Sequence, residues 1–340
     1  MHRVALIGFG LAGKTFHAPL IAATQGLELA AVVSSRRAEV AAHYPRAMVF
    51  PAIADVLTDR SIDLVVVASP DHCHTSHALA ALDAGKHVVI DKPFAPSLGE
   101  AHAIAARADE RGLLLSVFHN RRWDCDFLTL RRLLGAEDLG EVIEMESRFD
   151  RFRPEVGTRW KDQRAGGVWQ DIGPHLIDQA LQLFGRPEAI SADLATLKPG
   201  ALAEDHAQAV LRYPGRRVTL HIGQTLPDHS LRLAVHGTRG SFVKHGLDPQ
   251  ESQSKAGMRP ADAAWGVDFS PGRLTRSDGS VSPVAPERGD YGAYYRGLVR
   301  ALSGEDAVPV SVDEALAVMT VLAAGLASNE QRREIALSWD

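Results

Sequence analysis

Cysteine is almost absent from this 340-residue chain: Cys73 and Cys125 are the only two, and no spacing pairs them into a secreted disulfide framework. A reducing compartment fits that scarcity. Charge of one sign is not in excess either. Lys and Arg total 37 and Asp and Glu 42, a formal net charge of -5, and no basic run supplies the phosphate footprint of a nucleic-acid binder. No hydrophobic run reads as a membrane span. The start, Met1-His2-Arg3, leads straight into apolar residues without a signal peptide's long core and cleavage site. These absences predict a cytoplasmic protein with neither nucleic acid nor membrane as partner. What is present, 45% hydrophobic and 23% charged residues, is ordinary globular composition, and the length suits two domains.

Short apolar runs at 4–7, 29–33, 64–68, 88–90 and 113–118 alternate with amphipathic segments. That alternation predicts βαβ units and a doubly wound parallel sheet over 1–120. Ser97 with Glu100 forms a capping box for a helix that stops at Gly112. From 121 to 340 the texture is that of an α+β domain, with strand-like runs at 142–149, 189–196, 206–213, 217–225 and 231–236. Pro214-Gly215 makes the third and fourth of these an antiparallel hairpin, so a large, open, mostly antiparallel sheet is expected. Residues 246–290, rich in Gly, Pro, Ser and Asp, read as loops over that sheet. A second capping box, Ser311 with Glu314, starts a last helix over 311–333 that could pack back toward the first domain.

Gly8-Phe9-Gly10-Leu11-Ala12-Gly13 follows the first strand and opens a helix, the context a dinucleotide fingerprint requires. The first glycine turns the chain, the second admits a pyrophosphate to the backbone, and the third permits close helix–sheet packing. The second strand ends in Ser34-Ser35-Arg36-Arg37, where an NAD enzyme would carry an acid on the ribose hydroxyls. Hydroxyls and guanidinium groups suit a 2′-phosphate, so NADP(H) is expected rather than NAD(H). A solvated basic turn is the other reading of those residues.

Two further segments carry chemistry. Asp91-Lys92-Pro93 closes a parallel strand, at the edge where doubly wound sheets bind ligands. Asp171, His175, Asp178 and Gln182 share one face of a predicted helix opposite Leu176, Ile177, Ala180, Leu181 and Phe184. That stripe is either a functional face or the wet side of an amphipathic helix. His72-Cys73-His74-Thr75-Ser76-His77 lacks the second ligand pair of a zinc site, so no metal is expected. Asp71 and His74 are better read as lining a cofactor crevice. Trp123, Arg153 and Trp160 are read as flanking a substrate cleft, since flat rings and guanidinium forks suit sugar-like ligands, with plain packing as the alternative.

The fingerprint, the Ser69-Pro70-Asp71 turn with His74, Asp91-Lys92-Pro93 and Asp171-x-Gly173-x-His175 stand in the order and spacing of one family. The chain resembles the Gfo/Idh/MocA oxidoreductases over nearly its whole length. Asp91 stands where that family usually has Glu. The segments Gly10 to Pro19, Phe118 to Asp124 (with Asn120) and Gly246 to Glu251 are similar to the branch of NADP-dependent scyllo-inositol dehydrogenases.

The resemblance implies a Rossmann domain, an open-sheet domain whose exposed face makes homodimers or homotetramers, and a polyol or sugar substrate. It implies a cofactor held along Gly8 to Gly13, Ser34 to Arg37, Ser69 to Asp71, His74 and Asp91 to Pro93. It makes Lys92, Asp171 and His175 the catalytic group, with Asn120, Trp123, Arg153 and Trp160 beside the substrate. A secondary alcohol needs help to lose its proton. His175, with an ordinary pKa of ~6.5, suits a general base; Lys92 can stabilise the developing alkoxide; Asp171 can orient substrate or imidazole. A relay ending on Lys92 stays open. So do an aldose or dihydrodiol substrate and a sensor that binds nicotinamide without catalysis.

Overall fold

The computed structural model describes residues 1–157 and 167–339. The first stretch of chain forms β1 (His2–Ile7), α1 (Ala18–Ala23), β2 (Leu27–Val33), α2 (Arg37–His43), β3 (Met48–Phe50), α3 (Ile53–Leu57), β4 (Leu64–Val67), α4 (His74–Asp83), β5 (His87–Asp91), α5 (Leu98–Arg111) and β6 (Leu115–Phe118). A π-helical turn, Gly13–His17, precedes α1. The six strands are parallel in the order β3-β2-β1-β4-β5-β6. Such strands are covered on both faces, which is why β4 is an unbroken Leu-Val-Val-Val run with all four side chains buried. The order reverses between β1 and β4, the point at which such sheets bind dinucleotides. Ser97 caps α5 by accepting from the Glu100 N–H, and Gly112 ends it in the left-handed conformation.

Beyond residue 120 come α6 (Cys125–Gly135), β7 (Val142–Arg148), α7 (Gly167–Phe184), β8 (Ala189–Ala195), β9 (His206–Tyr213), β10 (Arg216–Gly223), β11 (Leu231–Gly237), β12 (Gly240–His245), α8 (Gln250–Lys255), β13 (Gly272–Arg276), β14 (Val281–Val284), α9 (Gly292–Leu302), α10 (Val312–Gln331) and β15 (Ile335–Ala336). The second sheet has nine strands in the order β14-β13-β12-β11-β7-β10-β9-β8-β15. All its pairs are antiparallel except β7 with β10. The fold is therefore α/β, with a parallel Rossmann sheet and a large, mostly antiparallel sheet.

Two compact units make up the chain. Met1–Asn120, Gln250–Trp265 and Asp290–Met319 form the first; Arg121–Pro249, Gly266–Gly289 and Thr320–Asp340 form the second. Two stretches read from sequence as part of 121–340 thus join the first unit. The reason is packing: the Tyr294 hydroxyl donates to Ser116 Oγ at 2.9 Å, and Ser254 donates to the Thr15 carbonyl.

The expectation of loops throughout 246–290 is corrected, because that span holds α8, β13 and β14. The two short strands, β14 at the edge and β13 next to it, bury little besides Leu274 and Val284, and Pro283 is tolerated on the edge strand, so no clean alternation marked them. By length and composition α10 could cross a membrane, contrary to the expectation that no stretch would. Its Ala315, Val318, Val321 and Leu322 are buried within the protein. Its start is the expected capping box: Glu314 accepts from the Ser311 N–H at 2.8 Å, and Ser311 Oγ accepts from the Glu314 N–H at 3.2 Å.

Candidate cofactor and catalytic sites

The turn after β1 is shaped by absent side chains. Gly8 has φ +102°, and a Cβ there would meet the Ala68 carbonyl oxygen at 2.6 Å; a Cβ on Gly13 would meet the Gly8 oxygen at 2.1 Å. Gly10 is exposed, and a Cβ there would meet nothing within 4 Å. The chain thus packs tightly at its first and third glycines and leaves open backbone at the second, which fits a dinucleotide pyrophosphate. Phe9 points inward, edge-on to Tyr44 at 6.2 Å, while Leu11 is exposed.

At the end of β2, Ser34 Oγ accepts from the Arg36 N–H at 3.0 Å. Ser35, Arg36 and Arg37 are exposed. Sequence reasoning missed Glu39 on α2. It accepts from Lys14 Nζ and lies 3.6 Å from Arg36 Nη1. The Lys14 hydrogen bond, with Lys14 and Arg36 charge behind it, holds the Glu39 carboxyl below its ordinary value. Two cations already converge on an anion here.

The ends of β4 and β5 are clamped together by His74. Its Nδ1 lies 2.8 Å from the Pro93 carbonyl oxygen and its Nε2 3.0 Å from that of Ser69. Burial lowers the pKa of this imidazole, against the pull of Asp91 and the two carbonyls. His74 thereby ties the Ser69-Pro70 turn to the Lys92-Pro93 turn, whose peptide bond is cis. Asp71 is buried beside it, and Lys92 is half-buried.

Behind Lys92 runs a buried polar chain. Asp91 Oδ1 is 3.6 Å from His17 Nε2, and the Tyr295 hydroxyl is 2.6 Å from His17 Nδ1. Burial pushes the Asp91 carboxyl up, but His17, Lys92 and His74 outweigh it and hold it low. Burial pushes the Tyr295 hydroxyl well up.

In the second unit, Asp171 and His175 ride on α7. This helix is anchored by charge. Arg122 grips Asp178 with Nε at 2.9 Å from Oδ2 and Nη2 at 2.7 Å from Oδ1. Gln179 Nε2 donates to the Arg121 carbonyl at 2.7 Å, and Arg232 Nη2 donates to Gln179 Oε1 at 2.6 Å. Arg232 also reaches Asp126 at 2.9 Å and Ser147 at 2.8 Å. Trp169 is fully buried and donates to the Leu322 carbonyl at 3.0 Å. The polar stripe on α7 is therefore not a uniformly wet face: His175 is 6% and Asp178 2% exposed, Asp171 is half-buried, and Gln182 is exposed.

Residues 2–119 match the oxidoreductase family, NAD-binding Rossmann fold, of Gfo/Idh/MocA, and residues 131–337 match that family's C-terminal alpha/beta domain. The chain belongs to the Gfo/Idh/MocA family. It is 47% identical to the uncharacterized oxidoreductase YdgJ of Escherichia coli (strain K12), over 99% of each chain. It is 35% identical to scyllo-inositol 2-dehydrogenase (NADP(+)) IolW of Bacillus subtilis (strain 168), over 98% of this chain and 96% of that one. An oxidoreductase structure from Yersinia pestis superposes with TM-score 0.96 at 48% identity, covering 100% of this chain and 98% of that chain.

In this Gfo/Idh/MocA chain, Asn120 belongs to the first unit and Trp123 and Arg153 to the second. Asn120 is buried where β6 gives way to a 3-10 turn, Trp123 is half-buried in that turn, and Arg153 is exposed. Trp160 lies outside the described residues. Arg153 and Asp171 do share a cleft in the second unit with Lys198, Glu204, Asp205 and Gln224. Besides Glu39, sequence reading missed His17, Arg122, Lys198 and Glu204. His17 and Arg122 sat in segments already singled out, but their partners lie 278 and 56 residues away. Cys125 is buried, and burial with four nearby aspartates pushes its thiol up, which leaves it inert.

Proposed function

We propose that this NAD(P)-binding oxidoreductase moves a hydride between NADP(H) and a secondary alcohol or ketone of a cyclic polyol or sugar, an inositol first among them. The observation that carries the reading is Lys92 at the carboxyl end of β5, in the same sheet whose β1 turn forms a glycine cradle. The likeness to IolW supports the polyol and the NADP(H). Gly8 to Gly13, Ser34 to Arg37, Ser69 to Asp71 and Asp91 to Pro93 would hold the cofactor, which supplies the hydride acceptor or donor when bound. In oxidation His175 takes the hydroxyl proton, Lys92 stabilises the developing alkoxide, and Asp171 orients the reacting group. The test is a panel of inositols, aldoses and dihydrodiols with both cofactors, followed by absorbance of the reduced nicotinamide. Turnover of a cyclic polyol with NADP⁺ is expected; cofactor binding without product from any alcohol would make the protein a sensor.

Cofactor choice rests on Arg36 and Lys14, which share the Glu39 carboxylate on α2 just beyond the end of β2. Arg36→Ala should raise KM for NADP⁺ by roughly tenfold to a hundredfold, the loss of one phosphate-directed charged contact, and leave NAD⁺ unchanged. Equal use of both cofactors by the unaltered protein would refute the preference.

The nine-stranded sheet is proposed as the surface of a homodimer or homotetramer. Ile143 on β7, 53% exposed, and Val281 on β14, 61% exposed, are apolar side chains that such an interface would cover. Light scattering at micromolar concentration should give a multiple of the 36.7 kDa chain mass, and a strict monomer would count against it.

A further inference from the structure

The cleft that Asp171 lines is built largely from the loop between β8 and β9. Asp205 holds that loop closed: its Oδ1 accepts from the Leu197 N–H and its Oδ2 from the Lys198 N–H, each at 3.0 Å. The Asp205 carbonyl accepts from the Gln224 N–H at 3.0 Å. Lys198, itself buried, donates from Nζ to Gln224 Oε1 at 2.6 Å. The Glu204 carbonyl accepts from the Val168 N–H at 2.9 Å, which fixes the loop to the first turn of α7, one turn from Asp171. Asp205 is thus spent on amides. Glu204 Oε2 is buried and has no hydrogen-bond partner among the described residues.

A buried carboxylate oxygen without a donor is costly, and a ligand that brings one would remove that cost. The charges around it say which kind. The carboxylates of Asp171, Glu155, Glu204 and Asp205 outnumber the cations of Lys198 and Arg153, which disfavours an anion, and between a cationic and a neutral donor the polyol reading above selects the neutral one. A neutral hydroxyl satisfies Glu204 as donor and can accept from Lys198 in the same place. We infer that this cleft is a subsite for the substrate's non-reacting hydroxyls, in which Glu204 accepts from one hydroxyl and Lys198 donates to it or its neighbour. It rests on the polyol reading above and gives that reading its specificity residues: a multiply hydroxylated substrate is bound here by groups that take no part in hydride transfer.

The test uses the full-length protein with saturating NADP⁺, inositols and their monodeoxy analogues. Glu204→Gln and Glu204→Ala should raise KM for the fully hydroxylated substrate by about tenfold to a hundredfold, as expected for one charge-assisted hydrogen bond, with kcat within about threefold. Glu204→Ala keeps the main-chain contact to Val168, and melting curves and NADP⁺ affinity should match the unaltered protein. For one monodeoxy analogue, the one lacking the bound hydroxyl, the variants and the unaltered enzyme should converge in kcat/KM. If the unaltered enzyme oxidises inositols and both variants keep its kcat/KM on every analogue, the subsite is overturned alone. If the unaltered enzyme neither binds nor oxidises any polyol, the polyol reading falls and the subsite with it.

Discussion

His175→Ala should lower kcat for alcohol oxidation by about 10²- to 10⁴-fold, the usual consequence of removing a positioned general base. Lys92→Ala should abolish turnover comparably. Both should leave most of the NADP(H) affinity intact, because in the proposed arrangement the glycine cradle and the end of β2 would hold the pyrophosphate and adenosine, and Lys92 would touch the cofactor only at its nicotinamide end. The sign of the pH dependence follows from the chemistry: oxidation needs the base unprotonated, so kcat/KM for the alcohol should rise with pH as the proposed base, His175, loses its proton. In His175→Ala that limb should vanish or move. Measuring both profiles with one substrate settles the assignment. A variant that keeps near-normal turnover and an unchanged limb would make His175 a packed helix residue, in line with its burial, and leave the proposed mechanism wrong.

Arg122→Ala should be the most damaging substitution for stability. It strands the Asp178 carboxylate, 2% exposed, without the guanidinium that grips it through both oxygens. Breaking a buried pair by removing one partner costs about 3–5 kcal/mol, which for a domain of this size lowers the melting temperature by roughly 6 to 20 °C. Removing both charges together is a different matter. Arg122→Met with Asp178→Leu should recover most of the loss, since the unpaired charge is gone. Thermal melts of the single and double variants decide it, and a double variant as unstable as the single would mean that Arg122 acts through other contacts.

Much of the Rossmann half was legible. Parallel strands buried on both faces read as short unbroken apolar runs, and β1, β2, β4, β5 and β6 all fall within a few residues of those runs. The fingerprint and both capping boxes are local devices, written in three to six adjacent residues, so no tertiary information was needed to read them. The hairpin of β9 and β10 was equally local, carried by Pro214-Gly215 between alternating residues.

Segments whose side chains face several environments were not legible. β3 is three residues long with none fully buried, and β13 and β14 lie at an edge, so none of them shows a period. What the sequence by itself determined, then, is where strands turn, where helices start, and which residue types stand at the ends of β1, β2 and β5. Tertiary structure alone decided the polar pairings: His17 with Tyr295 and Asp91, Arg122 with Asp178, Lys14 and Arg36 with Glu39, and the unpartnered oxygen of Glu204. The physical reason is range. Periodicity and capping act within a turn or two of backbone, whereas desolvation of a buried charge is settled by whichever distant segment packs against it.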